Sequence, residues 1–130
     1  MSNLSRNWKL DTLEADILYV PIIGNLESGD AFFLQSDTNT LYVLQITVGE
    51  THPVKANGLN VIFERFSNII VNNCYLVFVT PKNGQLLRRP QTIVTQRGME
   101  CIAQSVAVDK FAKNQWVLEY EIPLPVNTKL

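Results

Sequence analysis

Three short apolar runs separated by turn residues dominate the first part of the chain. They cover residues 17–23, 31–35 and 41–48, and each has the length and the apolar content of a β-strand. Glycine, asparagine, serine and aspartate make up most of the first gap, and the polar loop at 36–40 has the length of a hairpin connection. The pattern therefore predicts a meander of three strands with antiparallel pairing across the hairpin.

The third run alternates between two faces that are both largely apolar. A strand of this kind is typically central in a sheet and covered on both sides. Gln45 and Thr47 fall on one of these faces, so each needs a hydrogen-bond partner or a function. The first face carries Leu41, Val43, Gln45 and Thr47, and the second carries Tyr42, Leu44, Ile46 and Val48.

A helix is predicted after the meander. Thr51 suits the N-cap and Pro53 suits the first turn of a helix. Apolar residues then recur with a period of 3.6, which indicates an amphipathic helix. The apolar face consists of Leu59, Ile62, Phe63, Phe66 and Ile70.

Further strands follow the helix. Residues 74–80 form a continuous apolar run that Pro81 ends, which predicts a buried strand. Residues 92–95 predict a short strand and 116–122 a last one, whereas 99–108 fits either a strand or a helix. A helical crossover can return the strand that follows it parallel to the meander.

Composition places the chain among single globular domains. Its 130 residues are 46% hydrophobic and 18% charged, which is apolar enough to form one core. No apolar run reaches the roughly 18 residues of a membrane span, and residues 1–12 are too polar for a secretory signal. Cys74 and Cys101 lack metal-ligand or redox spacing, so we expect reduced cysteines in an intracellular protein, with a single disulfide left open.

The charges are unevenly distributed although the net charge is only −1. No acidic residue lies between Glu64 and Glu100, so this segment is locally basic. A basic surface can attract a polyanion even on an acidic chain, but a solvated face without a partner is equally consistent with it. The basic residues of this segment are Arg65, Lys82, Arg88, Arg89 and Arg97.

One stretch, residues 19–58, resembles a known family. It holds a Tyr-x-Pro strand, an isolated Asp30, the triplet Gln45-Ile46-Thr47 and the tetrapeptide His52-Pro53-Val54-Lys55. This order resembles the C-terminal domain of Crinkler and retrotransposon-hot-spot proteins, which is similar to a degenerate PD-(D/E)xK nuclease. The resemblance implies an α/β fold with a restriction-endonuclease-like mixed sheet, built from a meander of three strands, a helix and further strands. It also implies a truncated first helix around residues 8–15.

The resemblance also assigns roles to particular residues. Asp30 stands at the position of the family's first acid, Gln45 at that of the second acid and Thr47 at that of the lysine. The implied metal ligands for Mg²⁺ or Mn²⁺ are Asp30 and Gln45, and the implied catalytic residues add His52 and Lys55. A glutamine is a weaker ligand than a carboxylate for a hard cation, and Thr47 brings no positive charge.

Two functions are consistent with these residues. The first is metal-dependent hydrolysis of phosphodiester bonds in nucleic acid, and the second is a catalytically degenerate nuclease fold that binds nucleic acid, a protein partner or a second copy. We expect residues 1–130 to form a single domain, as a C-terminal domain or short paralogue of a longer effector-type protein, inside the cell and by resemblance in the nucleus. The expected nucleic-acid-binding residues are Lys55, Lys82, Arg88, Arg89 and Arg97, although each could equally be a solvated surface residue.

Overall fold

The computed structural model describes residues 2–4, 12–21, 29–86, 88–94 and 106–121. Within these ranges the chain forms eight strands and two helices. The strands are β1 (Ser2–Leu4), β2 (Tyr19–Pro21), β3 (Ala31–Gln35), β4 (Thr40–Ile46), β5 (Val54–Lys55), β6 (Asn73–Pro81), β7 (Ile93–Val94) and β8 (Gln115–Tyr120), and the helices are α1 (Ala56–Glu64) and α2 (Val106–Lys113).

Six of the strands form one mixed sheet with the order β1-β2-β3-β4-β6-β8. Strands β2, β3 and β4 are an antiparallel meander, as the sequence predicts. Strand β6 then pairs parallel with β4, and β8 pairs parallel with β6. Helix α1 lies in the first of these crossovers and α2 in the second. The predicted α/β class and the predicted order of meander, helix and parallel strand are therefore confirmed.

Both helices pack on the same face of the sheet and contact each other. The core between sheet and helices is apolar because one side of β3, β4 and β6 supplies buried residues at every second position. It includes Phe32 and Leu34 of β3, Leu41 and Val43 of β4, Leu76 and Phe78 of β6, Leu59 and Ile62 of α1, and Val108 and Phe111 of α2. No helix among the described residues is long and apolar enough to cross a membrane.

The opposite face of the sheet is open, so the prediction that β4 is covered on both sides is wrong. Ile46 is 58% exposed there, while Leu44 is half-buried. Apolar residues are tolerated on this open face because aromatic rings along it shield one another from water. The ring centroids of neighbouring residues lie 4.9 Å apart for Phe33 and Tyr42, 5.6 Å for Tyr42 and Tyr75, and 4.6 Å for Tyr75 and Trp116.

The helix begins later than predicted. Its N-cap is Lys55 rather than Thr51, because Val54 and Lys55 are extended and pair with β7. The backbone N–H of Val54 also donates to the carbonyl of Thr92 at 2.9 Å, which extends the pairing with the segment of β7. At the other end α1 stops at Glu64, so Ile70 is not part of its apolar face and is 82% exposed.

The predicted first helix does not extend into the described residues. Residues 12–14 are irregular and Ala15 begins a turn, while residues 8–11 lie outside the described ranges. Cys74 is a buried free thiol, as predicted, and Cys101 lies outside the described ranges. The ambiguous segment 99–108 contains the start of α2 at Val106, and its residues 99–105 lie outside the described ranges.

Candidate functional site

The centre of the candidate site is Gln45, near the carboxyl end of β4. Its side chain lies on the core face beside Phe78 of β6 and the residue is only 4% exposed. Oε1 of Gln45 lies 2.9 Å from Nε2 of His52, within hydrogen-bond distance. The structure thus brings together two of the predicted site residues. Nε2 of Gln45 is buried and has no hydrogen-bond partner among the described residues, which makes this amide a polar group that is only half satisfied there.

Asp30 lies at the same end of β4. One of its carboxylate oxygens accepts a hydrogen bond from the backbone N–H of Ile46 at 2.6 Å, directly after Gln45 in the chain. The N–H of Asp30 donates to the carbonyl of Leu44 at 2.8 Å. The exposed carboxylate therefore extends the pairing of β3 with β4, as a backbone carbonyl would do.

Thr47 and Lys55 lie at the ends of strands, outside the contact between Gln45 and His52. The hydroxyl of Thr47 accepts a hydrogen bond from the N–H of Gly49 at 3.2 Å, and the N–H of Thr47 donates to the carbonyl of Val79. Lys55 is half-buried, pairs with Val94 in a two-stranded sheet of β5 and β7, and is the N-cap of α1. Thr47 is therefore a turn residue at the position where the family resemblance expects a catalytic lysine.

His52 connects Gln45 to a chain of glutamines that the sequence pattern did not reveal. Its backbone N–H donates to Oε1 of Gln91 at 2.8 Å, and its ring meets Phe78 edge-on at 6.1 Å. The N–H of Gln91 donates to Oε1 of Gln115 at 2.6 Å, and Nε2 of Gln115 returns a bond to the carbonyl of Gln91 at 2.9 Å. Gln91 is buried, and no periodicity or motif marks it in the sequence.

The basic residues are largely matched with acids. Arg88 forms an ion pair with Glu119 of β8, and Lys82 pairs with Glu121 at 2.8 Å. Arg88, Arg89 and Lys113 line a cavity of about 250 Å³, which Phe78 and Leu86 bound on the core side. Nη2 of Arg65 lies 3.9 Å from Oε2 of Glu64. Arg97 lies outside the described ranges.

The described residues offer a poor set of ligands for a divalent cation. Hard cations favour several oxygen ligands, usually with more than one carboxylate. Asp30 supplies one carboxylate that already accepts a backbone hydrogen bond, and Oε1 of Gln45 already contacts His52. No group of three or more histidine, cysteine, aspartate or glutamate side chains forms a metal-binding cluster in the described part of the chain. This set does not fit a resident Mg²⁺ ion, and the predicted metal stays a prediction.

Comparison with known proteins finds no protein-family model, no curated protein and no solved structure that matches the chain.

Proposed function

We propose that the chain is a catalytically degenerate nuclease-type domain that serves as an interaction module, akin to the Crinkler and retrotransposon-hot-spot domains that its sequence resembles. The meander, the crossover helix and the parallel strand are consistent with a restriction-endonuclease-like core. The observation that carries the proposal is the contact between Gln45 and His52. In a nuclease the residue at the position of Gln45 would present oxygen to a metal ion, whereas here that oxygen contacts an imidazole.

The other motif residues support the same proposal. Asp30 and Thr47 each hold a neighbouring backbone N–H, so both contribute to the strand ends and the turn. A catalytic alternative rests on one observation, the position of the Asp30 carboxylate at the same end of β4 as Gln45. Metal-dependent hydrolysis of nucleic acid is therefore the second candidate function.

Metal titration followed by NMR, alongside cleavage assays on labelled DNA and RNA, separates the two functions. We expect neither Mg²⁺ nor Mn²⁺ to shift the amide signals of Asp30 and Ile46 selectively, and we expect no cleavage. Gln45→Glu tests directly whether the missing acid explains the expected absence of metal binding, because it returns a carboxylate to the position of the second acid. Metal-dependent cleavage by the natural chain that disappears in Asp30→Ala, but not in Asp37→Ala, would establish the nuclease instead.

A protein partner suits this module better than nucleic acid. Arg88 and Lys82 face Glu119 and Glu121, and these ion pairs reduce the positive field that a polyanion needs. We expect no binding of labelled nucleic acid at physiological salt, measured by fluorescence anisotropy. Tight binding that weakens steeply with salt and is lost in Arg89→Gln would favour nucleic acid. An intracellular, and by resemblance nuclear, location belongs to this proposal and is tested with a fluorescent fusion.

A further inference from the structure

The last strand of the sheet, β8, presents an unpaired edge among the described strands. On its inner side β8 receives hydrogen bonds from the N–H of Leu76 to the carbonyl of Asn114 and from the N–H of Lys82 to the carbonyl of Tyr120. Backbone groups of a strand alternate in direction from one residue to the next. The N–H and carbonyl groups of Gln115, Val117 and Glu119 therefore point away from β6, at the outer edge.

The side chains of β8 are exposed on both faces of the sheet. Trp116 and Leu118, on the open face, are 52% and 56% exposed, and Val117, on the other face, is 37% exposed. A layer packed on one face would cover only half of these side chains, whereas a strand added at the edge contacts both halves. The strand also lacks the proline and lysine residues that commonly protect an edge from pairing.

We propose that β8 pairs with β8 of a second copy of this chain. The two strands run antiparallel, and the two-fold axis lies midway between Val117 and the partner's Val117. In this register Val117 lies opposite the partner's Val117, and Trp116 lies opposite the partner's Leu118. The outward backbone groups then satisfy one another in about six hydrogen bonds. The two sheets become one continuous sheet, with the open apolar faces on the same side.

The charges of β8 favour this register and a partner identical to the chain itself. Neutral Gln115 lies opposite the partner's Glu119, so no like charges face each other. A register shifted to centre on Leu118 would set Val117 opposite the partner's Glu119, an apolar side chain against a carboxylate. The Val117-centred pairing instead matches apolar residues with apolar residues at all three central positions, Trp116, Val117 and Leu118.

Dimerisation deepens the proposed interaction role and rests on it, but its readout is separate from that of cleavage and metal binding. The test is the mass in solution, measured by sedimentation from micromolar to millimolar concentration. We expect the natural chain to sediment at twice 14.7 kDa, and Val117→Lys and Val117→Glu each to sediment at 14.7 kDa. Like charges on the two-fold axis repel in either variant alone. Circular dichroism and thermal unfolding are the controls that check whether both variants remain folded.

Mixing the two variants supplies the decisive measurement. An equimolar mixture of Val117→Lys and Val117→Glu should recover the dimer, because each lysine then faces a glutamate. The matched controls are Ile70→Lys and Ile70→Glu, which add the same charges at an exposed position away from β8 and should leave the dimer intact. A natural chain that stays monomeric, variants that stay dimeric, or a mixture that stays monomeric would each overturn the proposal.

Discussion

Nε2 of His52 lies 2.9 Å from Oε1 of Gln45, and this contact joins the end of β4 to the segment that leads into α1. Gln45 is buried and His52 is half-buried, so the two side chains differ in their access to water. The imidazole can exchange its partner for solvent, but the amide cannot. The contact with His52 therefore gives the buried oxygen of Gln45 a partner on the apolar face of a central strand.

The same asymmetry predicts unequal costs for removing either partner. His52→Ala leaves Gln45 buried with no partner, and we expect the free energy of unfolding to fall by about 1–3 kcal/mol. Gln45→Leu removes both the contact and the unpaired Nε2, so we expect a change of less than about 1 kcal/mol. Chemical denaturation of the two variants provides both values.

The double variant is the control for this prediction. Gln45→Leu should restore stability in the His52→Ala background, because it removes the orphaned amide. If the two substitutions destabilise additively, the contact between His52 and Gln45 does not contribute to stability.

The parts of the fold that follow from local pattern were predictable from the sequence. Residues 31–35 and the apolar run at 74–80 became β3 and most of β6, because alternation and continuous apolar character depend on neighbours in the chain. The helix start was not predictable, since Val54 belongs to a strand that pairs with Ile93, far along the sequence. A local N-cap signal at Thr51 carries no information about that pairing.

The candidate site shows the same division. The sequence selected Gln45 and His52 by their order and resemblance, and the structure places them in contact. It did not reveal Gln91 or the ion pair of Arg88 with Glu119, because these contacts join residues separated by 24 or more positions. The packing of β8 beside β6 and the pairing of β5 with β7 bring them together.

The hydrogen bonds of Asp16, in the turn before β2, predict how acid changes the stability of the fold. Its carboxylate accepts hydrogen bonds from the hydroxyl and the backbone N–H of Ser36, and these bonds hold the pKa of Asp16 below its ordinary value of 3.8. A lowered pKa means that the contribution to stability is present above pH 3.8 and is lost as the pH falls below it. Ser36→Ala should therefore reduce the loss of stability on acidification, measured by denaturation at several pH values.

A matched variant separates this effect from general acid titration. Asp37→Asn removes a neighbouring exposed carboxylate, and we expect its stability to follow the same acid profile as the natural chain. Asp16→Asn keeps a residue type that tolerates the positive φ of 63° at this position, and it should flatten the profile as Ser36→Ala does. An unchanged profile in Asp16→Asn would show that the Ser36 contact does not form in solution.

The burial of Cys74 predicts a loss of stability at alkaline pH. Burial raises the pKa of the Cys74 thiol to about 11 from 9.0, although the charge of Lys110 lowers it somewhat. The neutral thiol is favoured in the fold, so its contribution to stability is full below pH 9.0 and is lost as the pH rises through about 11. The free energy of unfolding should fall more steeply over this range in the natural chain than in Cys74→Ala.

Thiol labelling provides an independent check on Cys74. In a Cys101→Ser background, we expect a thiol reagent to react with Cys74 far more slowly in the folded chain than in denaturant, because the buried residue is neither accessible nor ionised. Equal labelling rates in the two states would show that the strand region around Cys74 opens readily.

Gly84 is a position where a single added methyl group should be disruptive. A Cβ added there would lie 2.6 Å from the buried hydroxyl oxygen of Thr80 and 2.8 Å from the carbonyl oxygen of Pro81. The second contact is with backbone, which cannot rotate away, so the turn after β6 would have to shift. We expect Gly84→Ala to lower the free energy of unfolding by about 1–3 kcal/mol.

Gly49→Ala is the matched control, because its Cβ would meet neighbouring atoms only at 3.5 Å and beyond, and it should be nearly neutral. Equal effects of the two substitutions in thermal unfolding would contradict the close packing of the turn against Thr80.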